Sequence, residues 1–265
     1  MRLDIVMPAH NEQARIDRTL LAYRAACPAA GVRFLVALDS CTDATPRIVA
    51  RHARADPRVR AFSYPKLGKG GVIAATFERS DADLVGFVDA DCATPPRELL
   101  RLAGAAEEVG GAIASRRHPA SLLPARRPLA RELTSAGFAS GVRMLMRLPY
   151  RDTQCGAKVL RRDVVDDVLP HLAARDLLFD VDLLAAAEER GWRVVEIPTV
   201  WIDQEGSRVK PLADGRRMGA SLLKLWARRR LLAPRRPGWR GPVVRQAAPF
   251  APVVAPTNGS RRGHA

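Results

Sequence analysis

The residue types best suited to chemistry lie in Gly86-Phe87-Val88-Asp89-Ala90-Asp91-Cys92-Ala93-Thr94-Pro95, where an apolar run delivers two carboxylates two residues apart. On an extended strand, positions i and i+2 face the same side. Two carboxylates held in that way, Asp89 and Asp91, can bind Mg2+ or Mn2+ and leave the ion's other positions to water and phosphate oxygens. The same residues also suit a plain strand-end turn, where Asp is common. Three further clusters accompany this one. Pro8-Ala9-His10-Asn11-Glu12 closes the first apolar run. Asn11 and Glu12 suit either a ligand or the cap of a following helix, and His10 reads as structural or peripheral. Asp39-Ser40-Cys41-Thr42-Asp43 closes the second run. There Asp43 suits an N-cap, while Asp39 at the tip suits accepting hydrogen bonds from a base or ribose. Gly68-Lys69-Gly70-Gly71 sets a cation among residues that permit close backbone approach. It lacks the GxxxxGK[ST] spacing, and GxGxxG fails at Ile73, which disfavours an ATPase and a standard NAD site.

These clusters are positioned by the elements between them. Apolar runs predict strands over 3–7, 33–38, 59–63, 84–88 and 111–115, and helical spacing predicts helices over 13–26, 46–54, 68–78 and 96–109. Such alternation argues for a doubly wound α/β sheet with mostly parallel strands. Ligands then bind beyond the carboxyl ends of the strands, so the clusters at 8–12, 39–43 and 89–94 should converge. The second half is less regular. It predicts a long helix over 126–148, a loop with a short strand over 151–162 and an amphipathic helix over 180–190. A bent strand or strand pair over 192–202 follows, with Pro198 favouring an edge. The last helix spans 213–232. Residues 233–265 hold six prolines between Pro234 and Pro256 with little periodicity, and read as a disordered basic tail.

The chain has 265 residues, 47% apolar and 27% charged, as expected of a soluble globular protein. No run approaches the ~18 apolar residues of a spanning helix, so an integral membrane protein is not expected. The N-terminal stretch lacks the apolar region of a signal peptide. The four cysteines show no CxxC spacing, which argues against a disulfide or zinc scaffold and for the reduced thiols of a cytosolic protein. The formal net charge is +15 and unevenly placed: residues 228–265 carry nine arginines and no acid, and residues 115–151 carry eight arginines and one glutamate. These segments are either solvated charge or attraction to an anionic surface or phosphorylated substrate. Aromatics are only 5%, too sparse for a nucleic-acid interface that stacks bases.

Taken in order, Pro8-x-x-Asn11-Glu12, Asp39-Ser40-Cys41-Thr42-Asp43, Gly68-Lys69-Gly70-Gly71 and Asp89-Ala90-Asp91 resemble the family 2 inverting glycosyltransferases of the GT-A fold. Asp152-Thr153-Gln154-Cys155-Gly156-Ala157-Lys158, followed by Phe179-Asp180-Val181-Asp182-Leu183, is similar to the dolichyl- or polyprenyl-phosphate β-glucosyltransferases and mannosyltransferases. The resemblance runs to about residue 210. Leu38-Asp39-Ser40-Cys41 stands where the family often has Asp-Asp-Gly-Ser, so one carboxylate of that pair is missing. The C-terminal membrane helices of many relatives are missing as well. The resemblance implies a single GT-A domain over 1–232, a Rossmann-like sandwich with a mostly parallel sheet. Residues 1–115 would form its nucleotide-sugar half and 116–232 its acceptor half. It implies that Pro8, Asn11, Glu12 and Asp39 line the base and ribose, with Lys69 near the base or diphosphate. Asp89 and Asp91 would hold the metal–diphosphate, Asp91 being the more direct ligand, and Asp152 and Gln154 would face the donor sugar and acceptor.

A phosphomonoester acceptor has a second pKa near ~6 and is already anionic at neutral pH. It needs positioning more than deprotonation, which suits Arg117, Arg131 and Ser135; the last two share a helix face. A hydroxyl acceptor needs a base, for which Asp152 is the candidate. The expected function is therefore hexose transfer from UDP-glucose or GDP-mannose to a polyprenyl phosphate, with Mg2+ or Mn2+ as cofactor. A soluble hydroxyl acceptor is one alternative, and a non-catalytic protein binding a nucleotide or an anionic surface is another. The helix over 218–232, with Trp226 among leucines and arginines, would either lie at an anionic membrane surface, peripherally at the inner face, or pack on the domain with its arginines in solvent.

Overall fold

The structure is a computed structural model that describes residues 1–124, 129–204 and 211–232; the side chains of 129–134, 211–217 and 232 are outside that description. The expected disordered tail, 233–265, also lies outside the described residues. The elements run β1 (Leu3–Ala9), α1 (Ile16–Ala26), β2 (Val32–Asp39), α2 (Thr45–Ala55), β3 (Val59–Tyr64), α3 (Gly68–Phe77), β4 (Leu84–Val88), α4 (Pro96–Val109) and β5 (Gly110–Ser115). They continue with α5 (Leu129–Met146), β6 (Ala157–Arg161), α6 (Arg162–Val168), a 3-10 turn (Leu169–His171), α7 (Phe179–Glu189), β7 (Arg193–Pro198) and α8 (Pro211–Leu232).

The seven strands form one sheet in the order β3-β2-β1-β4-β6-β5-β7. β1 pairs parallel with β2 and β4, β2 with β3, and β5 with β7; β6 alone runs antiparallel, between β4 and β5. The expected mostly parallel α/β sheet is therefore what forms. β7 takes the expected edge position, with Pro198 as its last residue.

Helices cover both faces, so the central strands are apolar on both sides. On one face Leu3, Ile5 and Met7 of β1 pack with Ile16, Leu20 and Tyr23 of α1 and Leu99 and Leu102 of α4. On the other, Val6, Leu35 and Phe87 pack with Ile73 and Phe77 of α3, Phe179 and Leu183 of α7, and Leu222 and Leu225 of α8. Each such fully buried side chain contributes about 1.5–3 kcal/mol.

Two expectations are corrected. α7 is not amphipathic: Phe179 through Ala187 are all buried, because the helix lies between the sheet and its helical neighbours. α6 went unpredicted, since seven residues are too few to display a helical period.

Candidate active site

β1, β2 and β4 are adjacent and parallel, so their carboxyl ends open on one edge of the sheet. Each is followed by a non-glycine residue at positive φ: Asn11 at 56°, Ser40 at 48° and Cys92 at 61°. Such conformations cost about 1–3 kcal/mol each and persist where the surroundings hold them, often at functional sites. The first two tips are stitched together. Asn11 Oδ1 accepts the Thr42 N–H at 2.8 Å and the Asp43 N–H at 3.3 Å. His10 Nδ1 lies 2.6 Å from the Asp39 carbonyl oxygen.

Asp39 is buried, and its carboxylate accepts the Leu67 N–H at 2.7 Å and the Gly68 N–H at 3.1 Å. It thereby anchors the start of α3, where free N–H groups and the helix dipole favour a negative charge. A carboxylate has about four acceptor positions, so these two bonds leave room for a ligand. Glu12 is engaged by Arg15 at 2.6 Å. Neither Asn11 nor Glu12 caps α1, whose N-cap has no side-chain bond. Asp43 is not the N-cap of α2, which is Ala44, but from just before the helix its Oδ1 accepts the Thr45 N–H at 2.9 Å. Pro8 sits half-buried on β1, opposite Ala37.

Asp89 and Asp91 meet at the β4 tip, although not by strand alternation. β4 ends at Val88 and the chain turns at residues 90–91. Burial raises the pKa of Asp91, and the neighbouring Asp89 charge raises it further. Lys69 Nζ lies 2.7 Å from Asp89 Oδ1 and 3.8 Å from Asp180. Burial works against the Lys69 charge, yet the surrounding carboxylates outweigh it and push the pKa up. Gly156 is fitted to this site: a Cβ there would sit 1.9 Å from Asp89 Oδ2. Gly70 lets the starts of α3 and α7 touch, since a Cβ would lie 2.3 Å from Phe179 Cβ.

The donor set suits a hard divalent cation. Asp89 lies against Gly156 with Asp91 close enough to feel its charge, and among the described residues no group of three His, Cys, Asp or Glu forms a complete cage. Partial protein ligation completed by phosphate and water is the usual mode for Mg2+.

The acceptor side is built around an arginine that the sequence did not single out. Arg116 donates to Asp152 through Nε at 2.7 Å and Nη2 at 2.8 Å, and its backbone N–H donates to the same carboxylate at 2.9 Å. Its guanidinium lies 5.0 Å from the Trp201 ring centroid. Burial would raise the Asp152 pKa, but the Arg116 charge and hydrogen bonds prevail and the net direction is down. Asp152 was the candidate base for a hydroxyl acceptor. Both its oxygens are tied to a cation, and a depressed pKa makes it a weak proton acceptor; it positions Arg116. The only sequence signal for Arg116 was adjacency to Arg117, because the two differ in partner, Asp152 against Ser135, and not in residue type. Arg117 Nη2 donates to Ser135 Oγ at 2.8 Å, so those two residues do meet. The side chain of Arg131, on α5, lies outside the described residues. Gln154 is half-buried, and its Nε2 donates to Leu177 O at 3.4 Å.

Behind the site, Lys158 is buried and donates to Asp180 at 2.5 Å and to Cys155 O at 2.8 Å. Asp182 is fully buried; it accepts the N–H groups of Ala173 and Ala174 and the Nε of Arg229 at 2.7 Å. The arginines at 228–230 are therefore not uniformly in solvent: Arg229 is buried and docks α8 onto α7. Leu222 and Leu225, which an interfacial helix would turn to lipid, face the core.

A mixed seven-stranded sheet with paired carboxylates at a central strand tip defines an α/β domain of the GT-A type. The profile of Glycosyl transferase family 2 matches residues 4–169, and the chain belongs to that family. It is 31% identical over 233 residues to "Glycosyltransferase AglD" of Haloferax volcanii, covering 85% of this chain and 37% of that protein. It is 29% identical over 219 residues to "Dolichyl-phosphate beta-glucosyltransferase ALG5C" of Trichomonas vaginalis, covering 77% of this chain and 65% of that protein. The chain thus spans less than two thirds of either relative. Among solved structures, glucosyl-3-phosphoglycerate synthase from Mycobacterium tuberculosis, in complex with Mn2+, UDP and glucosyl-3-phosphoglycerate, matches with a TM-score of 0.62. That match is 18% identical and covers 85% of this chain and 80% of the other. Among the described residues, no helix is long and apolar enough to cross a membrane.

Proposed function

We propose that this chain catalyses inverting transfer of a hexose from UDP-glucose or GDP-mannose to a polyprenyl or dolichyl phosphate. The observation that carries this reading is the carboxylate pair Asp89–Asp91 with Arg116 within electrostatic reach of Asp89 and the Arg117–Ser135 contact beside it. The named activity of the Trichomonas vaginalis relative supports the acceptor class, and the Mn2+ and UDP of the structural neighbour support the donor side.

In this reading Pro8, Asn11, Glu12 and Asp39 border the base and ribose, and Lys69 balances charge beside the diphosphate. Asp89 and Asp91 hold Mg2+ or Mn2+, which when bound stabilises negative charge on the departing diphosphate. Gln154 faces the donor sugar. Arg117, Arg131 and Ser135, with Arg116 braced by Asp152, orient the acceptor phosphate so that its oxygen meets the anomeric carbon. That oxygen is already ionised near neutral pH, so no base is required. A hydroxyl acceptor is less well served, because Asp152 is committed to Arg116.

We place the chain peripherally at an anionic membrane surface. Leu223 and Leu231 are exposed on α8 together with Lys224, Arg228 and Arg230, and Arg230 lies 4.7 Å from the Trp226 ring centroid.

The test is a panel of nucleotide sugars with Mn2+ and a polyprenyl phosphate, scored for glycolipid. One donor should give product, and chelator should abolish it. No product with any donor, or nucleotide binding that is equally tight in chelator, overturns the reading.

A further inference from the structure

Beside Arg116, three large apolar side chains are exposed together: Leu122 and Leu123 at 37% each and Ile202 at 45%. Single exposed leucines need no explanation. Main-chain bonds fix Leu122 and Ile202 next to the site, and Leu123 follows Leu122 in sequence. The Leu122 N–H donates to Thr199 O at 3.0 Å, the Trp201 N–H to Leu122 O at 3.0 Å, and the Ile202 N–H to Ala93 O at 2.9 Å. The Ser121 hydroxyl donates to Ser115 O and accepts the Thr199 N–H at 3.1 Å. After Arg117 the chain loops out and then rejoins the extension of β7 in parallel, where Leu122 bridges Val200. That extension is itself tied to Ala93, two residues beyond Asp91.

Along this extension Val200 and Trp201 are buried while Ile202 faces out. The buried Trp201 ring carries the Arg116 guanidinium. Trp201 also donates its backbone N–H to Leu122 O and precedes Ile202, so the cation and the apolar side chains are gathered around one residue. This juxtaposition fits an amphiphile with an anionic head and a hydrocarbon chain that begins immediately behind it. A free sugar or a soluble phosphate would leave this apolar ledge in water.

We propose that Leu122, Leu123 and Ile202 form the subsite for the first isoprene units of the acceptor, over which the chain leaves once its phosphate is seated on the arginines. The inference rests on the polyprenyl-phosphate reading above and adds the residues that select for a long apolar chain.

The test uses the full chain with two acceptors, a long polyprenyl phosphate in detergent micelles and a water-soluble single-isoprene phosphate. The Leu122→Ser/Ile202→Ser double variant should lose about tenfold in kcat/KM for the long acceptor, carried by KM. The short acceptor should change less than about twofold, and nucleotide affinity should hold. Leu122→Met/Ile202→Val, which keeps the apolar surface, should retain the long-chain preference. Equal losses for both acceptors, no loss for either, or equal damage by the conservative pair overturns the ledge. So does a concentration-dependent dimer that the serine variant abolishes while chain-length preference persists. Should the double variant lose nucleotide binding, Leu123→Ser alone is held to the same criteria. Equilibrium binding of the two phosphates without donor separates the two readings. If wild type transfers to neither acceptor, the proposed function fails, and the ledge stands or falls on whether the long phosphate binds tighter and loses that margin in the serine variant.

Discussion

The carboxylates at the first strand tips and those behind the site are held by different means. At the tips of β1 and β2, Asp39 and Asp43 accept backbone N–H groups from helix starts and loops, and Asn11 does the same across the two tips. Behind the site, Asp152, Asp180 and Asp182 are each locked to a distant cation: Arg116, Lys158 and Arg229. A carboxylate on N–H groups keeps acceptor positions open to a ligand, whereas one saturated by a buried guanidinium becomes part of the frame. The strand-tip carboxylates thus stay open, while the ion-paired ones, among which Asp4 with Arg33 also counts, belong to the frame. Lys69, reaching both Asp89 and Asp180, joins them.

The sharpest way to break this contrast is at the carboxylate pair. Asp89→Ala should cut hexose transfer by about a hundredfold to a thousandfold, with the melting temperature nearly unchanged; steady-state kinetics and calorimetry read both. A large loss of stability instead would place Asp89 in the frame. Next comes Arg229→Ala, which leaves Asp182 buried without its cation and should cost about 3–5 kcal/mol in denaturant unfolding. Asn11→Ala, which removes accessible loop bonds, should cost about 1–2 kcal/mol. Similar costs for the two would erase the contrast.

Gly156→Ala is a smaller test that joins the halves. Its Cβ would collide with Asp89 Oδ2, so Mn2+ affinity measured by calorimetry should fall about tenfold while unfolding shifts little. The finest test is pH. A carboxylate whose folded pKa is depressed contributes stability that is fully present above the unfolded value of ~4 and is lost as pH falls through the folded value. Asp152→Asn should remove that acid sensitivity from the unfolding free energy. It should also leave the acid limb of the transfer rate near pH ~6, where the acceptor phosphate titrates. If the limb disappears in Asp152→Asn, Asp152 is the base after all.

The readable parts of the sequence share one property. Leu3–Ala9, Leu84–Val88 and the polar residues that follow them are short-range patterns: an apolar run sets a strand, and the next residues must occupy its end. The meeting of the 8–12 and 39–43 clusters followed from parallel pairing alone. Arg116 and Arg229 were less legible, since each sits beside other arginines of identical type. Nothing local marks which neighbour turns inward. An isolated acid in an apolar stretch, such as Asp182 in α7, was a usable hint that a cation must arrive from elsewhere. It could not say which one, because the partner lies 47 residues away.

By itself the sequence determined the order of strands and helices as far as β5, the edge at which the polar clusters open and the carboxylate pair at the end of the fourth strand. These follow from hydrophobic periodicity and chain direction, which act over a few residues. Tertiary structure alone decided that Asp152 braces Arg116, that α8 docks through Arg229 and that Leu122 is joined to the β7 extension that carries Trp201 and Ile202. Such outcomes depend on desolvation and ion pairing between groups that meet only when the sheet has closed, and no short stretch of chain encodes them.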